Sequence, residues 1–382
     1  MGKFSTMLIS RILTDLISKD LKHSGKVIIL YGPRQVGKTT LSEQVIEDTG
    51  FRSLMINADQ LKYLDVLSSR DLKKLQSLVS GYDLLFIDEG QRVPEIGINL
   101  KILHDELPEL KVLVTGSSSF LLSDRVSEAL TGRKKIHTLL PVSLKELALD
   151  FNEFELRDQL DERLIYGMYP EVITTINQKE KEEYLREITN STLFKDILEL
   201  EHIRYPMKIR DLLRLLAFQV GSQVSIKELC DRLNLNRETV ERYLFLLEQS
   251  FIIFRMAAFS RNLRNEISKS QKYYFYDNGI RNILIDNLNP PESRNDIGPL
   301  WEGFIISERK KKLIYEQKKV NTYFWRTYTG TELDYIEETG NNLDAFEIKY
   351  RKSNSKAPKA WVENYGKIFR SITKDNFLEF VV

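Results

Sequence analysis

LYGPRQVGKTT, residues Leu30 to Thr40, decides how the first part of the chain folds. Gly32, Gly37, Lys38 and Thr39 fit G-x-x-x-x-G-K-[ST] at every fixed position. The run before it, Lys26 to Gly32, is short and β-branched and reads as a buried parallel strand. After it, Leu41, Val45 and Ile46 recur at helical spacing and Gly50 is a stop signal. The motif therefore sits in a strand–loop–helix unit. Gly32, Pro33, Arg34, Gln35, Val36 and Gly37 form a loop whose N–H groups can face phosphate oxygens. Lys38 reaches the outer phosphates, the Thr39 hydroxyl ligates Mg²⁺, and Thr40 continues the helix N-terminus.

A second signal follows in YDLLFIDEGQRVP: four apolar residues, Leu84 to Ile87, deliver Asp88 and Glu89. Carboxylates at the C-terminal end of a buried strand lie at the ligand edge of a parallel sheet. Asp88 suits Mg²⁺ and Glu89 suits the general base for water. A strand is expected at Ser53–Asn57, and another, LKVLVTG, runs into Gly116 and Ser117 beside the carboxylates. A hydroxyl there could position the water; Ser117 is favoured, with Thr115 and Ser118 as alternatives. A fifth strand is expected around Ile136 to Leu140. Arg133, and after it Arg125, are the candidates for an arginine reaching a neighbouring subunit's nucleotide, which requires a homo-oligomer.

Together with LTGRKKIHTLLPVSLKEL and YGMYPEV (Tyr166 to Val172), these motifs resemble a prokaryotic AAA+-type ATPase family. Its members pair the ATPase with a C-terminal domain of unknown function. The resemblance covers nearly the whole chain. It implies an α/β P-loop fold of the additional-strand type, with the two nucleotide motifs on adjacent, non-consecutive strands. It also implies ATP, in keeping with the lack of a guanine-reading N-K-x-D segment.

The 382 residues carry 42% hydrophobic and 29% charged side chains and a net charge of +1. No global field draws the chain to nucleic acid or anionic lipid, so such contacts need local patches. The one cysteine, Cys230, excludes an internal disulfide and fits a reducing cytoplasm. No apolar run approaches a membrane span, and no signal-peptide h-region is seen. Met1-Gly2 with Thr6 matches the short myristoylation pattern only formally.

Four units are expected: the ATPase over 1–150, a helical lid over 151–205, a winged helix-turn-helix over 206–278 and an α/β unit over 279–382. The lid rests on position and on the resemblance. The winged helix rests on three helices and a hairpin. Ser225 opens the second helix as a cap, and Asn236 the third, whose buried face is Val240, Tyr243, Leu244 and Leu247. On the third helix Arg237 and Arg242 stand among Glu238 and Glu241; the wing offers Arg261, Arg264 and Lys269. DNA contact and protein contact remain open alternatives here.

In the last unit a turn at Gly340-Asn341 pairs position i with 681 − i. Glu332, Asp334, Glu347 and Lys349 then share one face, with Leu333, Tyr335, Phe346, Ile348 and Tyr350 on the other. This is similar to the PD-(D/E)xK nuclease core, in which the aspartate and glutamate hold Mg²⁺ and the lysine stabilises charge or activates water. Asp334, Glu347 and Lys349 match it, and Glu302 matches the helical glutamate. Leu333 stands where that core often has proline. Whether the site cuts is left open. Lys310 to Lys312 and Lys318 to Lys319 read as a solvated helix end.

Overall fold

The computed structural model describes residues 8–116, 128–192, 205–261, 270–351, 356–366 and 368–382. The N-terminal half is built on five strands: β1 (Val27–Tyr31), β2 (Ser53–Asn57), β3 (Leu84–Asp88), β4 (Lys111–Gly116) and β5 (Lys134–Thr138). They pair in parallel in the order β2-β3-β4-β1-β5. Alternation buries both faces: Ile28 and Leu30 pack on one side, Val27, Ile29 and Tyr31 on the other. The motif strands β1 and β3, expected as neighbours, are separated by β4. The helix Ile96–Glu106 carries the chain back past β3 and inserts β4 beside β1. Thr115, near the end of β4, thereby comes between the two motifs.

Of the expected lid, Glu153–Asp158, Leu160–Tyr166, Pro170–Thr174 and Gln178–Glu187 are helical, with a break at Gly167–Tyr169, and 193–204 lie outside the described residues. Helices Pro206–Phe218, Ile226–Leu233 and Arg237–Gln249 come next. Ser225 and Asn236 cap the second and third, and Val240, Tyr243, Leu244 and Leu247 are buried. Cys230 packs against the core.

Strands β6 (Gln223–Val224), β7 (Ile253–Phe259) and β8 (Gln271–Phe275) do not close a sheet of their own. β7 pairs in parallel with β9 (Asn321–Arg326), which leads to β10 (Glu332–Thr339), β11 (Asn342–Ile348) and β12 (Phe369–Ile372). The result is one mixed seven-stranded sheet, β12-β11-β10-β9-β7-β8-β6. The boundary expected at 278/279 falls inside it.

The β10–β11 hairpin has the expected register: Tyr335 faces Phe346 and Thr339 faces Asn342. Its faces differ from simple alternation. An irregularity between Leu333 and Ile336 shifts the pairing with β9. Tyr335 and Phe346 pack with Phe380, whereas Leu333 joins Ile336, Trp325 and Trp361 in a separate cluster. Neither face is wholly apolar or wholly polar.

The two halves share one apolar cluster, running from Ile28 and Leu30 through Leu144 and Leu164 to Trp301 and Phe346. Helix Ile297–Tyr315 lies at this junction. Of the lysines expected to form a solvated helix end, Lys318 and Lys319 are exposed, but those on the helix itself are not. Lys311 is 1% exposed and bonds Glu308 at 2.6 Å and the Val142 carbonyl at 3.1 Å. Lys310 lies over the Phe254 ring. Just beyond, Glu316 pairs with Lys145 at 2.5 Å and Lys318 at 2.7 Å. Burial raises the Glu316 pKa, but the two lysines outweigh it and hold it at about 2, below the usual 4.5. The stability this lends is full above pH about 4.5 and is lost as pH falls toward 2. Glu316→Gln is therefore expected to lower stability by about 1–2 kcal/mol at neutral pH. In thermal melts across pH the gap from the parent chain closes on acidification; a pH-independent gap would contradict the assignment.

Candidate functional site

Three strand ends converge at the C-terminal edge of the parallel sheet. The chain leaves β1 at Gly32, where a Cβ would stand 1.9 Å from the Leu139 carbonyl oxygen, so no side chain fits. Gly37 has φ +90° and turns the chain into helix Lys38–Thr49. Lys38 is buried and donates to the carbonyls of Gly32 at 3.0 Å and Pro33 at 2.8 Å. Thr39 Oγ1 donates to Asp88 Oδ2 at 2.9 Å. Thr115 Oγ1 donates to Asp88 Oδ1 and accepts from the Glu89 N–H at 3.1 Å. Glu89 has φ +54°, and its Oε2 accepts from Gln91 Nε2 at 2.5 Å. A left-handed residue after a buried strand turns its side chain out of the strand's alternation.

Arg34, Gln35, Gly37, Lys38, Thr39, Thr40 and Glu89 line a cleft of about 790 Å³, closed opposite by Pro170, Glu171 and Tyr184. A second cleft of about 480 Å³ adjoins it and is lined by Leu8, Ile9, Thr40, Pro170 and Thr174 among others. The residues matched to the phosphate motif and the acidic strand end thus meet in one place. Thr115, an alternative for the strand-end hydroxyl, meets them; Ser117, Ser118 and Arg125 lie outside the described residues. Arg133 is not brought to this cleft. It precedes β5 at the opposite edge of the sheet, where its carbonyl accepts from Val27 N, and its side chain bonds Asp105 at 2.7 Å.

Sequence reading missed Arg11, which no motif marks. It is buried and donates to the Val36 carbonyl in the loop at 2.7 Å, to the Leu140 carbonyl at 2.7 Å and to Glu146 at 2.8 Å. The segment 139–144 is a hub between the loop and the C-terminal half. Leu140 N donates to Tyr315 OH at 3.1 Å, Leu144 N to Glu308 at 2.6 Å, and Val142 N to the Met168 carbonyl at 2.9 Å. Asp277 accepts from Met168 N at 2.6 Å. A Cβ on Gly167 would stand 2.2 Å from Asp277.

The hairpin residues form a second cluster. Lys349 bonds Glu347 at 2.6 Å and stands 3.6 Å from Asp334, whose Oδ2 accepts from Ile348 N at 2.8 Å. Glu302 enters from helix Ile297–Tyr315 and accepts from Tyr274 OH at 2.6 Å. Lys272 on β8, unforeseen because it precedes the unit that carries the motif, bonds Glu332 at 2.5 Å and Glu302 at 3.3 Å. Burial first, then the Asp334 charge, raise the Glu302 carboxyl to about 7 against the pull of Lys272. Burial and Asp334 likewise raise Glu347. Among the described residues no group of three or more His, Cys, Asp or Glu side chains is arranged to hold a metal ion. On the third helix Arg237 pairs with Glu241 at 2.8 Å, and at the start of the wing Arg261 pairs with Glu338 at 2.8 Å. Arg264 and Lys269 lie outside the described residues. No described helix is long and apolar enough to cross a membrane.

Residues 24–148 match the model of an AAA domain. Residues 157–291 match a domain of unknown function (DUF8612), and 297–374 another (DUF4143). An uncharacterized protein of Mycobacterium tuberculosis is 28% identical over 352 residues, 91% of this chain and 76% of that protein. One from Methanocaldococcus jannaschii is 25% identical over 372 residues, 92% of this chain and 80% of that protein. Among solved structures, the Thermotoga maritima RuvB Holliday junction branch migration motor aligns at TM-score 0.33 and 17% identity, over 65% of this chain and 90% of that one. The chain thus carries an AAA domain, which implies nucleotide binding, followed by two domains of unknown function.

Proposed function

We propose that the chain is a Mg²⁺-dependent ATPase whose nucleotide state is coupled to a nuclease-like, DNA-contacting C-terminal half. One observation carries the ATPase reading: the two oxygens of Asp88 tie Thr39 of the loop helix to Thr115 of the intervening strand. Thr39 and Asp88 are hard oxygen donors and fit Mg²⁺, which supplies charge neutralisation on the phosphate oxygens. Lys38, now on loop carbonyls, is within reach of the phosphates once they enter. Glu89 takes the proton of the attacking water as the bond to the leaving ADP breaks. The adenine takes the apolar cleft beside Leu8, Ile9 and Pro170. A finger role for Arg133 is a trans role in a homo-oligomer and requires release from Asp105.

Calorimetric titration with ATP and Mg²⁺ tests this reading. Lys38→Ala is expected to weaken binding at least tenfold, about 1.4 kcal/mol or more. Equal affinity in the two proteins would overturn it.

The C-terminal reading is supported by the winged order of helices and hairpin and by the sheet that brings Asp334, Glu347 and Lys349 together. A second reading, a nucleotide-driven switch that binds a protein partner and cuts nothing, is favoured by a specific feature. Arg237 and Arg261, two of the cations that a DNA contact would use, are already in ion pairs within the chain.

A further inference from the structure

Glu302, Glu332, Asp334 and Glu347 gather where the β10–β11 hairpin meets helix Ile297–Tyr315. On the nuclease-like reading, which this inference rests on, a divalent cation is expected here between Asp334 and Glu347. The donor set does not fit it. A carboxylate cluster whose charge is already balanced by a buried ammonium has little left to attract a divalent ion, whereas neutral hydroxyl donors, as on Asp88, leave that charge in place. Here every carboxylate has an internal donor. Glu302 Oε1 accepts from Tyr274 OH at 2.6 Å and lies 3.3 Å from Lys272 Nζ. Glu332 takes Lys272 on one oxygen at 2.5 Å and Arg326 on the other at 3.2 Å. Asp334 takes the Ile348 N–H, and Glu347 takes Lys349. None of these oxygens is among the buried side-chain atoms that lack a partner.

Lys272 is the unusual member. It is 1% exposed, and its Nζ lies 5.2 Å from the centre of the Phe324 ring. Burying an ammonium costs several kcal/mol unless carboxylates compensate. Glu302 and Glu332 provide that compensation from two different elements, a helix and a strand. Their oxygens are therefore committed to the chain's own cation, on which the Asp334 charge also acts.

We propose that the Lys272 ammonium is the resident cation of this site, standing in for the divalent metal of a nuclease of this architecture, so that the site takes no divalent ion until the ammonium is removed. The C-terminal half then binds its partner without cutting. The architecture is kept while the metal chemistry is closed off.

Mn²⁺ binding to the full, nucleotide-free chain, followed by electron paramagnetic resonance, tests the proposal. In the parent chain, Asp334→Asn is expected to leave the number of bound Mn²⁺ ions unchanged. Lys272→Ala, or Lys272→Met to keep the apolar stem, is expected to gain one Mn²⁺ per chain, lost again when Asp334→Asn is added. Mn²⁺ bound by the parent chain and lost in Asp334→Asn would overturn the proposal while supporting the nuclease-like reading. Folded Lys272 variants that gain no ion would overturn both. If neither Lys272 variant folds, the comparison of parent chain with Asp334→Asn decides alone.

Discussion

Glu89→Gln is expected to keep ATP bound and to lower its turnover about a hundredfold or more, the usual worth of a positioned general base. The amide preserves shape and can still accept from Gln91, so the cleft wall and the Thr115 bond to the residue 89 backbone persist. Only the capacity to take a proton is lost. The expected pattern is a fall in turnover with unchanged ATP affinity by calorimetry. Undiminished turnover would remove Glu89 from the reaction. Equal losses of affinity and turnover would make it a binding residue instead.

Lys311→Met is expected to be among the most destabilising single changes in the chain. Lys311 and Glu308 are each 1% exposed and lie at the junction of the two halves. Removing the ammonium strands the Glu308 carboxylate in the interior, at about 3–5 kcal/mol. Burial already raises the Glu308 carboxyl, and the Lys311 charge is the first of the influences that bring it back. Lys311→Met with Glu308→Leu removes the stranded charge and is expected to recover part of the loss. Recovery is incomplete because Leu144 N and the Val142 carbonyl lose their partners, at about 1–3 kcal/mol each. Thermal melts of the two variants check this; a single variant as stable as the parent would show that the pair carries no weight at the junction.

What sequence revealed and what it hid divide along physical lines. The phosphate loop was legible because its glycines answer local steric demands, as the Leu139 carbonyl beside Gly32 shows. The hairpin register followed from one turn and a period of two. The misplacement of Leu333 came from an irregularity that alternation does not signal. The continuous sheet was hidden because β7 meets β9 in parallel across a long stretch of chain, and no local pattern encodes such pairing. Arg11 and Lys272 were missed for a related reason. Each acts on residues far away in sequence, and a lone basic residue beside apolar ones carries no spacing to read.

The most direct test of the account is steady-state ATP hydrolysis by the purified full chain in Mg²⁺, with and without duplex DNA, and with that DNA run on a gel. The account predicts Mg²⁺-dependent hydrolysis that rises with DNA at low salt, loses that stimulation as salt increases, and leaves the DNA intact. Hydrolysis indifferent to DNA would move the C-terminal half to a protein partner, and cut DNA would contradict a site closed by Lys272. No hydrolysis above that of the Glu89→Gln chain under any of these conditions would contradict the central claim.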